Sequence, residues 1–137
     1  MRILLVEDND TLTNLFRVQL RRLGDHDLTI ANTKQEALIA FKNNQYDLIF
    51  IDMALDGIQS RGIEILTEIK SVNPGQRIGV LSSNDIRDLV SQSKKLGAEF
   101  YMVKPFTLRG LKMVMTGDKE KIQNYQPEIS EGRIIAL

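Results

Sequence analysis

Six residues able to do chemistry follow directly on four short apolar runs. Ile3–Val6 leads into Glu7 and Asp8, Leu48–Ile51 into Asp52, Ile78–Leu81 into Ser82 and Ser83, and Phe100–Val103 into Lys104. If these runs are parallel strands, the polar groups share one rim, the rim where open α/β sheets bind ligands. Carboxylates crowded together oppose one another's ionisation unless a cation neutralises them. A set of oxygen donors with no His or Cys suits a hard divalent ion, Mg²⁺ (or Mn²⁺) above others. A carboxylate held there is also a nucleophile toward phosphorus. The ion, Lys104 and the Ser82 hydroxyl would then neutralise the phosphoryl oxygens. Taken singly, each residue also has an ordinary structural use. Glu7 and Asp8 could cap a helix, Asp52 could be a loop acid, Ser82 and Ser83 turn residues, and Lys104 a solvated side chain. The case rests on the set.

The elements that must position this set are legible as alternating patterns. Runs apolar at every residue suggest strands buried on both faces. Leu28–Ala31 is a weaker run of the same kind. Between the runs lie helix-period stretches: Leu12, Leu15, Phe16 and Leu20; Ala37, Leu38 and Phe41; Ile63, Leu66 and Ile69; Ile86, Leu89, Val90 and Leu96; and Leu108, Leu111, Val114 and Met115. Asp8 or Asn9 is an N-cap candidate for the first helix, Thr33 with Glu36 forms a capping-box pattern, Asn84 or Asp85 could cap the fourth helix, and the last begins near Thr107. Gly110 should weaken that last helix by about 1 kcal/mol relative to Ala. Five strands alternating with five helices predict a doubly wound, five-stranded parallel sheet covered on both faces. Residues 1–117 form this domain, and 118–137 read as a tail, either disordered or packed on the domain. The tail's apolar end, Ile134–Leu137, could instead add a strand or helix to a partner.

Composition narrows the function. The 137 residues carry 18 basic and 18 acidic side chains, so nothing steers the whole chain toward nucleic acid. With no Cys and one His, His26, thiolate metal sites, disulfides and Cys nucleophiles are excluded, and a Ser-His-Asp triad is improbable. The N-terminal apolar run is too short for a signal peptide and no run approaches a membrane span, so the cytoplasm is the expected compartment.

The motifs Val6-Glu7-Asp8-Asn9, Leu48–Asp52, Val80-Leu81-Ser82-Ser83 and Tyr101–Phe106 together resemble the receiver domain of bacterial two-component response regulators. The resemblance runs from about Ile3 to Met115. It implies the flavodoxin-like strand order 2-1-3-4-5. It also implies that Asp52 accepts a phosphoryl group from a phosphohistidine of a sensor histidine kinase or phosphotransfer protein. Glu7, Asp8, Asp52 and the backbone carbonyl of Ala54 would hold Mg²⁺, Lys104 would pair with the phosphoryl group, and Ser82 and Tyr101 would be the switch residues. The Lys104–Pro105 bond is often cis in this family, an isomer Pro makes accessible. Tyr101 also fits a plain core aromatic on an edge strand. A downstream protein partner would bind through the fourth helix, fifth strand and fifth helix, with Ile86, Val90, Tyr101 and Leu111 as candidates; a homodimer stays open.

Several departures from the family pattern matter. Glu7 stands where Asp is usual and, being longer, would reach the metal through water. Asp56 stands where many members carry Pro, in a slightly longer loop, and Ser83 where Ala is common. Ala54 offers no side chain to an attacking water. The expected function is a stand-alone phosphoacceptor module that assists only its own phosphorylation and dephosphorylation. Direct DNA binding is not expected, since 118–137 holds no basic recognition helix. The alternative is a small Mg²⁺-dependent aspartyl-phosphate-type phosphatase. Such enzymes generally need a second Asp two residues after the nucleophile, where this chain has Ala54. A flavodoxin-like cofactor binder would need a phosphate-cradling loop where Glu7–Asp10 stands.

Overall fold

Runs of apolar residues form the strands buried on both faces. In the computed structural model, which describes residues 1–58 and 60–137, these are β1 (Arg2–Val6), β3 (Leu48–Asp52), β4 (Ile78–Ser82) and β5 (Phe100–Val103). β2 (Asp27–Ala31) is only half-buried, as suits an edge. The helices between them are α1 (Asp10–Leu23), α2 (Lys34–Asn43), α3 (Arg61–Val72), α4 (Arg87–Lys95) and α5 (Leu108–Met115). The first five strands are parallel in the order β2-β1-β3-β4-β5, as expected.

The sheet does not end there. Residues after α5 continue as α6 (Lys119–Gln123) and β6 (Ile134–Ala136), and β6 pairs antiparallel with β5 to give a sheet of six strands. Among the described residues the expectation of five strands and five helices is corrected to six strands and six α-helices, because the chain's own apolar end finds the open edge of β5. β5 is therefore an interior strand, and Tyr101 sits under a neighbour rather than on an edge.

Helix starts follow capping chemistry. The Asn9 side chain accepts from Leu12 N at 2.9 Å, Thr33 from Glu36 N at 3.1 Å and Thr107 from Gly110 N at 3.1 Å. Glu36 reaches back to Asn32 N at 2.8 Å, one residue beyond the usual capping box. α4 departs from expectation: its N-cap is Ile86, with no side-chain cap, and the Asp85 carboxylate pairs with Arg133 instead. Two apolar clusters flank the sheet. The one under α1 and α5 carries an edge-to-face aromatic chain, with Phe16–Phe50, Phe16–Phe106 and Phe50–Phe100 centroids 5.0, 5.8 and 5.6 Å apart. Such pairs add about 0.5–1.5 kcal/mol each beyond burial, so the floor beneath the site is stiff.

Candidate functional site

Parallel register brings the ends of β1, β3, β4 and β5 to one rim. Oxygens of Glu7, Asp8 and Asp52 all lie within 4.8 Å of one another. Glu7 is 1% exposed and Asp52 4%, whereas Asp8 faces solvent. Lys104 Nζ lies between the two buried acids, 2.7 Å from Glu7 Oε1 and 3.3 Å from Asp52 Oδ1. The Lys104–Pro105 peptide is cis.

The hydrogen bonds assign each oxygen a different freedom. Both Glu7 oxygens are occupied: Oε1 by Lys104, and Oε2 by the amides of Asp8 at 3.0 Å and Asn9 at 3.2 Å. Asp52 Oδ1 accepts from Lys104 and from Ala54 N at 3.3 Å, while its Oδ2 has no hydrogen-bond partner among the described residues. Asp8 Oδ2 accepts from Asp56 N at 3.0 Å. That bond depends on Asp56 standing in the left-handed region, at φ 58. Proline could neither adopt that φ nor donate that N–H, so the departure at Asp56 has a physical basis. The Ala54 carbonyl accepts from Gly57 N at 3.1 Å within the 3₁₀ turn Leu55–Gly57, leaving it one further lone pair.

Burial, and after it like charge, act on the acids of the site. Burial pushes Glu7 up to about 6; the Lys104 hydrogen bond opposes this and the Asp52 charge adds to it. Burial pushes Lys104 down, but Glu7 and Asp52 outweigh burial and hold the ammonium above its ordinary value. One cation shared by two buried acids is too little charge, which makes the donor set fit a further hard cation.

The other candidate residues meet at a second point. Ser82, 5% exposed, donates from Oγ to the Asn84 carbonyl at 2.8 Å and accepts from Asn84 N at 3.2 Å. The buried Tyr101 hydroxyl donates to the same carbonyl at 2.6 Å. Burial raises the Tyr101 phenol, the Ser82 hydroxyl opposing and the Asp85 charge adding. The Asn84 carbonyl is the hub sequence reasoning missed, since a backbone acceptor leaves no trace in residue types.

A parallel sheet in this order, with acids and a lysine on its carboxyl rim, defines a receiver-type α/β domain, and comparison with known proteins agrees. The family model described as "Response regulator receiver domain" matches residues 3–116. The chain belongs to that family. It is 30% identical over 114 residues to chemotaxis protein CheY-3 of Vibrio cholerae, covering 82% of this chain and 86% of that protein. It is 30% identical over 107 residues to sporulation initiation phosphotransferase F of Bacillus subtilis, covering 78% and 84%. Against the transcriptional regulatory protein MalR of Bacillus subtilis it is 27% identical over 126 residues, covering 91% of this chain and 53% of MalR, so it spans about half of that relative. Among solved structures, a CheY-like receiver domain protein from Methanospirillum hungatei JF-1 superposes with a TM-score of 0.76 at 25% identity, covering 90% of this chain and 98% of the other. No helix among the described residues is long and apolar enough to cross a membrane.

Proposed function

We propose that the chain is a phosphoacceptor receiver in a two-component phosphorelay, with Asp52 as the acceptor. The observation that carries this is the asymmetry of Asp52: one oxygen held by Lys104 and the Ala54 amide, the other without a protein partner. An Oδ2 lone pair forms the new P–O bond as the P–N bond to a donor phosphohistidine breaks. The imidazole leaves with the electron pair and takes up a proton. Asp8, Asp52 and the Ala54 carbonyl would hold Mg²⁺ (or Mn²⁺), with Glu7, whose oxygens are already occupied, reaching it through water. Bound there, the ion supplies neutralisation of the carboxylates and phosphoryl oxygens. Lys104, released in part from Glu7, takes one phosphoryl oxygen, and the Ser82 hydroxyl turns from Asn84 to another.

The donor is a sensor histidine kinase or phosphotransfer protein, and resemblance to a relative named a phosphotransferase supports that reading. The α4–β5–α5 face passes the signal to a protein partner. The chain acts on itself rather than on a pool of substrate, because Ala54 supplies no acid to protonate a leaving group. Incubation with acetyl phosphate and Mg²⁺, followed by intact-mass measurement, tests the proposal. The expected result is one added phosphoryl group, abolished by Asp52→Asn and by EDTA. An unchanged mass, with acetyl phosphate and with a cognate kinase alike, would overturn it.

A further inference from the structure

A parallel sheet that stopped at β5 would leave a row of unpaired N–H and C=O groups on its outer side. Here the end of the chain fills that row. Phe100, Tyr101 and Met102 register with Ala136, Ile135 and Ile134. The ladder continues beyond the strand: Val103 N donates to Arg133 O at 2.8 Å, Gly132 N to Pro105 O at 2.8 Å, and Leu137 N to Glu99 O at 3.1 Å. Ile134 packs with the cluster of Leu111 and Val114, while Ile135 and Leu137 pack with that of Tyr101.

A polar latch holds the segment against α5. Glu131 is 8% exposed and accepts from the hydroxyls of Thr107, at 2.8 Å, and Tyr125, while its second oxygen accepts from Glu128 N at 3.1 Å. The Arg109 guanidinium lies over the Tyr125 ring, 4.7 Å from its centroid. Two glycines admit this packing. A Cβ on Gly110 would stand 2.8 Å from Glu131 Oε1, and one on Gly132 would overlap the Val103 carbonyl.

The segment also touches the switch. Arg133 Nη1 is 2.8 Å from Asp85 Oδ2. An exposed pair of this kind adds little stability, but it ties the segment to the loop carrying Asn84. The Asn84 carbonyl is the acceptor shared by Ser82 and Tyr101. The Ser82 hydroxyl has one proton to donate, so it serves Asn84 or a phosphoryl oxygen, and not both.

We propose that the β5 edge is a strand-docking surface whose resident occupant is the chain's own Glu131–Leu137 segment, and that this occupancy and phosphorylation oppose one another. The second half rests on the phosphoacceptor reading of Asp52. When Ser82 turns to the phosphoryl group, the Asn84 carbonyl loses one of its two hydroxyl donors, the loop relaxes, Asp85 withdraws from Arg133, and the segment's hold loosens. By reciprocity, freeing the segment favours the phosphorylated form by the same factor.

Residue-resolved amide exchange on the full chain tests this at Val103, Gly132 and Leu137, the amides that bond across the junction. Gly132→Ala is expected to speed exchange at Val103 and Leu137 at least tenfold while β1 and β3 stay protected. Unchanged rates would overturn the docking. If that variant fails to fold, Glu131→Gln serves the same reading. Acetyl phosphate with Mg²⁺, phosphorylation being verified by mass, is expected to speed the same amides several-fold. A phosphorylated chain with unaltered rates overturns the antagonism. A chain that takes no phosphoryl group overturns the phosphoacceptor reading instead, and Ser82→Ala then decides the coupling. It deletes the same hydrogen bond and is expected to speed those amides several-fold; unchanged rates overturn the coupling.

Discussion

Two glutamates, Glu7 and Glu131, are both buried, yet their surroundings act on them in opposite directions. Burial pushes Glu7 up to about 6, with Asp52 adding like charge against the single Lys104. Burial also pushes Glu131 up, but the Tyr125 and Thr107 hydroxyls, the Glu128 amide and the Arg109 charge outweigh it and hold Glu131 below its ordinary value. Glu7 belongs to a place left short of positive charge, and Glu131 to one whose needs are met within the chain. A buried acid that its surroundings leave partly uncompensated awaits something from outside; a compensated one holds structure together.

The largest expected difference is in stability. Glu131→Gln should cost about 2–3 kcal/mol, since charged acceptors make the stronger hydrogen bonds. Glu7→Gln, free of divalent ions at pH 7, should stay within about 1 kcal/mol, because burial and the Asp52 charge offset what the carboxylate gains from Lys104. Urea denaturation compares the two, and equal costs would erase the contrast.

Next in size, Asp52→Asn should lower the Glu7 midpoint from about 6 by removing a like charge. Carboxyl-carbon NMR titration reads this, and an unmoved midpoint would assign the shift to burial alone. The two acids should also respond oppositely to pH. The Glu7 contribution is fully present below the ordinary value of 4.5 and is lost as pH rises through about 6. The Glu131 contribution is present above its ordinary value and is lost as pH falls through its lowered one. Thermal melts of the metal-free parent and Glu7→Gln, compared between pH 7 and pH 5, should show a relative gain for the parent in acid. Protection of the β6 amides, relative to their intrinsic exchange rate at each pH, should fall only in stronger acid.

The smallest effect concerns the pocket's rim. Asp56→Asn should change stability by no more than about 0.5 kcal/mol, since Asn tolerates the left-handed region. Asp56→Val should cost about 1–3 kcal/mol by the same denaturation measurement.

What could be read before the fold was known follows the reach of each signal. Ile3–Val6 and Leu48–Ile51 are apolar without interruption, so their burial on both faces, and hence the rim at Glu7, Asp8 and Asp52, was legible locally. Capping by Asn9, Thr33 and Thr107 was legible for the same reason. Ile134–Ala136 is as apolar as any strand, but its partner is β5, more than thirty residues back, and antiparallel pairing of a tail carries no local mark. Gly110 reads as a flaw in α5 until Glu131 is seen in the space it leaves. Glu131 itself stands in a polar stretch where nothing distinguishes it from a solvated acid. The start of α4 carries no local mark, because its N-cap is the apolar Ile86 and the Asp85 carboxylate is drawn to Arg133, far along the chain.

The three residues of β6 also bear on how the protein behaves when concentrated. A chain cut at residue 116, where the family match ends, would present Phe100–Val103 as a bare apolar border. Such borders join one another between molecules. Covering that border is expected to limit self-association, and light scattering from the shortened chain checks this as particle growth below the temperature at which its helices melt.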